Sequence, residues 1–201
     1  MIRSILSKSN QIGIRDMIES DILDYVSWFT KETEWMNWDA PWEKDIDIDE
    51  KVLYNRFRNR YIHIANTEYE QLRNKFEIIV NDENQTHIGW VSAYLIDDDF
   101  NFNIHGSKYA VGIDIPELKY RGKGYGYDAL HTFMDYLFHK GVTELYLQTW
   151  SGNMKMIRLA HRLGFAEINR YENLRTVSGK TYDALTLKIT KEAFGDKYES
   201  I

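Results

Sequence analysis

The chain has no cysteine in its 201 residues, which excludes disulfides, thiolate metal ligands and a thiol nucleophile together. Proline occurs only twice, and no low-complexity tract, internal repeat or linker interrupts the sequence. Excess positive charge is missing as well. With Lys and Arg at 25, Asp and Glu at 31 and a net charge of -6, the chain is not built to capture nucleic acid or anionic membrane by bulk electrostatics. No window approaches the roughly 20 apolar residues of a membrane span, and the Met1 to Gln11 stretch lacks the apolar core of a signal peptide. The expectation is a cytoplasmic protein with neither nucleic acid nor membrane as partner.

What is present is apolar content of 43%, enough to bury one ordinary core, so a single domain over residues 1–201 is expected. Its most informative segment is Arg121, Gly122, Lys123, Gly124, Tyr125, Gly126. This glycine-spaced basic turn lies between an apolar run, Tyr109 to Ile115, and an amphipathic stretch, Tyr125 to Lys140. Backbone amides cleared of side chains, at the amino end of a helix carrying roughly half a positive charge, form an anion site.

The periodicities supply the surroundings. Gln11 to Arg15 alternates as a strand, and Ile18, Ile22, Tyr25, Val26 and Phe29 repeat at helical spacing. A segment rich in tryptophan and acid, Lys31 to Asp49, follows, and Asp47 or Asp49 is placed to cap a helix running to about Tyr61. Phe76 to Val80 and Ile88 to Ile96 read as strands about a polar turn, Asn81 to Gln85. Beyond the glycine turn come a strand, Glu144 to Trp150, a helix, Asn153 to Leu163, stopped by Gly164, and two closing strands, Ala166 to Leu174 and Tyr182 to Ile189. The order implies a mixed α+β fold with a mostly antiparallel sheet.

The stretch Gly112 to Phe165 resembles the GCN5-related N-acetyltransferase superfamily. Arg121, Gly124 and Gly126 fit its acetyl-CoA-binding motif of Arg or Gln, two residues, Gly, one residue, then Gly or Ala. Thr149 to Asn153 and Leu163, Gly164, Phe165 are similar to its next strand and helix. Gly179 to Asp183 with Lys191 to Phe194 resemble the branch containing ribosomal-protein N-terminal acetyltransferases. The resemblance implies a seven-stranded sheet splayed between its fourth and fifth strands and flanked by about four helices. It implies acetyl-CoA as co-substrate and, as acceptor, a small polyamine-like or aminoglycoside-like amine or a peptide amino terminus. A non-catalytic acyl-CoA sensor on the same fold is the alternative.

On this reading the cofactor contacts are Ile113, Ile115, Arg121, Gly122, Lys123, Gly124, Tyr125, Gly126 and Asn153. An alkylamine of pKa near 10.4 must lose a proton before attack, at a cost of about 4 to 5 kcal/mol at pH 7. Asp114 or Glu77 is the candidate base. Many relatives protonate the leaving thiolate with a Tyr where this chain has Ala160, leaving Ser151, Tyr146 or solvent. Trp28, Glu32, Trp35 and Asp39 are candidate acceptor contacts, in an aromatic and anionic wall suited to a cation. No metal is expected: Asp45, Asp47 and Asp49 begin like a calcium loop, but Glu50 stands where Gly is required and Arg56 where the bidentate Glu belongs. The histidines show no ligand spacing. The dinucleotide fingerprint fails because its glycines would directly follow a first strand, and the Walker A pattern lacks its upstream Gly. Monomer and homodimer both remain open.

Overall fold

The computed structural model describes residues 2–43 and 49–199, so the calcium-loop positions Asp45 and Asp47 lie outside the described residues. The strands are β1 Ser4–Leu6, β2 Ile12–Arg15, β3 Lys75–Val80, β4 His87–Ile96, β5 Lys108–Asp114, β6 Glu144–Trp150, β7 Ala166–Val177 and β8 Lys180–Thr190. The helices are α1 Asp21–Thr30, α2 Glu50–Ala65, α3 Tyr125–His139, α4 Met154–Leu163 and α5 Lys191–Glu199, with 3₁₀ turns at Thr33–Asn37, Pro41–Glu43 and Leu118–Tyr120. The sheet is mostly antiparallel, in the order β1-β2-β3-β4-β5-β6-β8-β7. Among the described residues it has eight strands, not the seven expected, because the three-residue β1 pairs with β2; a segment that short carries too little alternation to be read from sequence. Among the described residues there are five helices, not the expected four or so, the fifth being the nine-residue α5 after β8.

Contacts divide the chain into two compact units, Met1–Val91 with Ile113–Phe133, and Ser92–Gly112 with Met134–Ile201. In the first, α1 buries Ile22, Tyr25 and Trp28 at helical spacing, and α2 buries Leu53 and Phe57. With Met17, Trp35 and Trp90 these form one apolar cluster. Asp49 caps α2, its side chain accepting from the amides of Lys51 and Val52 at 2.9 and 3.1 Å, which is worth about 1 kcal/mol.

In the second unit, β6 pairs with β8 along its whole length, Glu144↔Thr190 to Trp150↔Ala184. Its pairing with β5 is parallel and covers only Tyr109↔Leu145 and Ala110↔Tyr146. The ladder therefore opens beyond Ala110, and the backbone groups past that point need another partner. Asn153 caps α4 by accepting from Met156 N at 3.1 Å, and the helix ends at Gly164 as expected.

Candidate active site

Gly122 and Gly124 have φ of +73° and +91°, a region that strains any residue with a Cβ. A Cβ added to either would meet no atom within 4 Å. Conformation, not crowding, thus requires glycine here, and it leaves the backbone bare on that side. Tyr127 N and Asp128 N reach Gly124 O at 3.0 and 3.1 Å, while among the described residues the amides from Gly122 to Gly126 have no backbone acceptor. A row of free amides at the start of a fifteen-residue helix is an anion cradle.

The turn is fastened to the end of β5. Arg121 donates from Nε to Ile115 O at 2.6 Å and from Nη2 to Pro116 O at 2.5 Å. Its Nη1 reaches Glu34 Oε2 at 2.5 Å, and Glu34 Oε1 accepts from Trp38 Nε1 at 2.7 Å. The guanidinium fork thus ties three segments together instead of standing free, while Lys123 remains exposed. Ile113 and Ile115 occupy one face, their Cδ1 atoms 3.8 and 3.7 Å from the Cβ position of Gly126. Alternation sends Asp114 to the other face.

Burial and the charge of Asp39 hold the Asp114 carboxyl well above the ordinary carboxylate range, against the pull of Lys75 and Arg121. The Lys75 ammonium lies 4.4 Å from the centre of the Trp90 ring and 4.7 Å from that of Tyr25. Burial, helped by the charge of Arg60, brings Lys75 down to about 7.

The remaining polar groups of this unit form a charged knot. Glu77 is completely buried, accepts from Tyr25 Oη at 2.6 Å and meets His87 Nε2 at 3.2 Å. Burial would raise it, but the hydrogen bond from His87 and the charge of Lys75 bring it to about 2. Burial likewise opposes charge on His87, yet hydrogen bonds to Asp24 and Glu77 lift it to about 9. Asp21, Asp24 and His87 bring ligand-type atoms within 4.8 Å of one another, a long-range grouping that sequence spacing does not reveal. The three form an ion network, with His87 Nδ1 at 2.9 Å from Asp24 Oδ2 and 3.5 Å from Asp21 Oδ1.

The family model of the acetyltransferase (GNAT) domain matches residues 11–166. The chain belongs to this family. It is an N-acetyltransferase, built on the fold the glycine turn implies. The solved structure of RimL, a ribosomal L7/L12 alpha-N-protein acetyltransferase in complex with coenzyme A, is similar at a TM-score of 0.71 and 13% identity, over 95% of this chain and 99% of that one. The ribosomal-protein-S5-alanine acetyltransferase from Vibrio fischeri gives 0.70 at 17% identity, over 94% and 97%. The spermidine N-acetyltransferase from Vibrio cholerae, in complex with CoA and spermine, gives 0.67 at 19%, over 92% and 98%. At such identities the likeness is one of fold. No curated protein matches the sequence. Among the described residues, no helix is long and apolar enough to cross a membrane.

Several expected site residues take other roles. Trp28 and Trp35 are core, 2% and 6% exposed; Trp35 Nε1 donates to Trp28 O at 2.9 Å, and neither ring forms part of an open wall. Glu32 and Asp39 are exposed. Glu77 is corrected as base: a carboxylate near 2, locked between Tyr25 and His87, holds a proton too weakly to take one from an amine. In the second unit, Ser151 Oγ accepts from Asp183 N at 2.9 Å, Tyr146 Oη donates to Glu144 at 3.0 Å, and Asn153 is a helix cap. Ala160 is fully buried. Lys75 and Trp90 are not among the residues to which the sequence points. The signal available was Lys75 two positions before Glu77 on β3, which sets opposite charges on one face.

Proposed function

We propose that the chain moves an acetyl group from acetyl-CoA to a primary amine by direct attack in a ternary complex. The carrying observation is the paired left-handed glycines, Gly122 and Gly124, with the free amides they expose from Gly122 to Gly126. These amides and Lys123 would hold the pyrophosphate, with Arg121 fixing the turn that presents them. Backbone amides about Ile113 to Ile115 would polarise the thioester carbonyl, a donor of that kind being worth about 2.7 to 4 kcal/mol in the transition state.

Asp114 is the base in this reading. Its raised affinity for protons narrows the gap to the acceptor ammonium, which is what a general base requires. Exposed Glu32 and Asp39 favour a cationic acceptor, either a small amine or a peptide amino terminus. With Ala160 buried on α4, the leaving thiolate takes its proton from solvent or from the Ser151 hydroxyl.

Two measurements test the reading. Gly124→Trp fills the cradle, so calorimetry should find acetyl-CoA binding lost while circular dichroism and melting show a folded protein; unchanged affinity rejects the assigned turn. Free thiol should appear from acetyl-CoA with at least one member of a panel of polyamines, aminoglycosides and short peptides. Binding without thiol release from any of them would make the chain an acyl-CoA sensor, the reading that buried Ala160 keeps in view.

A further inference from the structure

Gly89 lies in β4, next to β5 in the sheet, and is buried. Its φ is +156°, a value that strains a residue with a Cβ. A Cβ added there would stand 2.1 Å from Asp114 O, 3.0 Å from Asp114 C and 3.1 Å from Ile115 Cα. All three atoms are main chain, which cannot swing aside as a flexible side chain can. The end of β5 therefore sits where it does because position 89 carries no side chain. Beyond Ala110 the ladder with β6 has ended, so the β4 side is where that strand end finds its support. Arg121 grips the next carbonyls, donating to Ile115 O at 2.6 Å and to Pro116 O at 2.5 Å. Gly89 is fixed in its turn. Its carbonyl meets His87 Nε2 at 3.1 Å, and His87 Nδ1 lies 2.9 Å from Asp24 Oδ2, so the buried ion network anchors the stretch of β4 that abuts Asp114.

We infer that Gly89 is a positioning residue for the transfer: the bare backbone there lets β4 close on Asp114 and Ile115, and so sets where the amides of Ile113 to Ile115 meet the thioester carbonyl. This rests on those amides being the groups that polarise the carbonyl. Such a donor must stand about 2.7 to 3.1 Å from the oxygen as charge develops on it. Relieving a 2.1 Å contact to an ordinary separation takes a shift of about 1 Å, enough to forfeit that alignment. The three atoms nearest the added Cβ belong to Asp114 and Ile115, none to the cradle over residues 122–126. The effect of a side chain at position 89 thus falls on turnover more than on cofactor affinity. No bond forms or breaks at Gly89; its contribution is the place of its neighbours.

The test is Gly89→Ala, with one acceptor amine used throughout and melting to establish that the variant is folded. The kcat for thiol release should fall by about 100-fold or more, the cost of a misplaced oxyanion donor, while the dissociation constant of coenzyme A stays within about threefold. A folded variant with kcat near that of the parent, or with affinity lost in step with kcat, overturns the inference. Amide spectra of ¹⁵N-labelled protein separate positioning from general damage. In the parent, at least one amide of Ile113, Asp114 and Ile115 should shift with acetyl-CoA beyond the shift that coenzyme A produces, since only acetyl-CoA brings the thioester carbonyl. In Gly89→Ala that difference should vanish while the shifts over residues 122–126 persist, and a retained difference overturns the inference. A parent with no acetyl-specific shift at any of the three removes the underlying reading instead, whatever Gly89 does. If Gly89→Ala does not fold, the parent still decides: the Gly89 resonances should respond to acetyl-CoA together with those of 113–115, and silence at Gly89 while those respond overturns the inference.

Discussion

Two bases in the same unit, His87 buried and Lys75 half-buried, are displaced in opposite directions, and their effects on stability have opposite signs. His87 stands at about 9 against an ordinary 6.5. Its stabilisation is complete below pH 6.5 and is lost as the pH rises through 9. Lys75 stands at about 7 against an ordinary 10.5, so the unfolded chain binds the extra proton between those values and folding becomes more favourable as the pH rises through that window. Between pH 7 and 9 the two oppose each other. Chemical denaturation of the parent should be nearly flat there. Lys75→Met should lose stability across the same two units, on the order of 2 kcal/mol, and a His87→Gln variant should gain it. Parallel curves for all three would show that neither group titrates as its surroundings require. None of this was legible in sequence. Glu77 and Asp114 looked alike as strand carboxylates, and only tertiary neighbours separate a carboxylate near 2 from one held well above its ordinary range.

Among the elements, the segment from β5 to α3 carries the account, and Arg121 is its fastener. Three donors from one planar guanidinium reach Ile115, Pro116 and Glu34, a fork that lysine cannot reproduce. Arg121→Lys should therefore weaken CoA binding nearly as much as Arg121→Ala, by about tenfold or more, with faster amide exchange over 122–126. If the lysine variant restores affinity, charge rather than the fork is the contribution of this position. The elements themselves were mostly readable where periodicity is long. β2, α1, α3, β6 and α4 follow their apolar spacing within a few residues, and Asp49 is the cap that one of two candidate acids was expected to provide. The acidic and aromatic segment misled. Its tryptophans combine a large apolar body with a polar N–H, and Trp28 and Trp35 satisfy that N–H on Glu117 and on Trp28 O while the rings are buried. Composition alone does not distinguish such packing from a cation wall.

At the scale of the molecule, the motif spacing and element order were sufficient to point to the fold and its family. The match of the family model over residues 11–166 bears this out. The acceptor was not legible, since its contacts come from exposed side chains of irregular segments, where sequence imposes no period. The account's central claim concerns main-chain groups, so its most direct test observes them. In ¹⁵N-labelled protein titrated with coenzyme A, the amide resonances of Gly122, Lys123, Gly124, Tyr125 and Gly126 should shift together and become protected from exchange, and dephospho-CoA, which retains the pyrophosphate, should produce the same pattern. Saturable binding that leaves those five amides unmoved would contradict it.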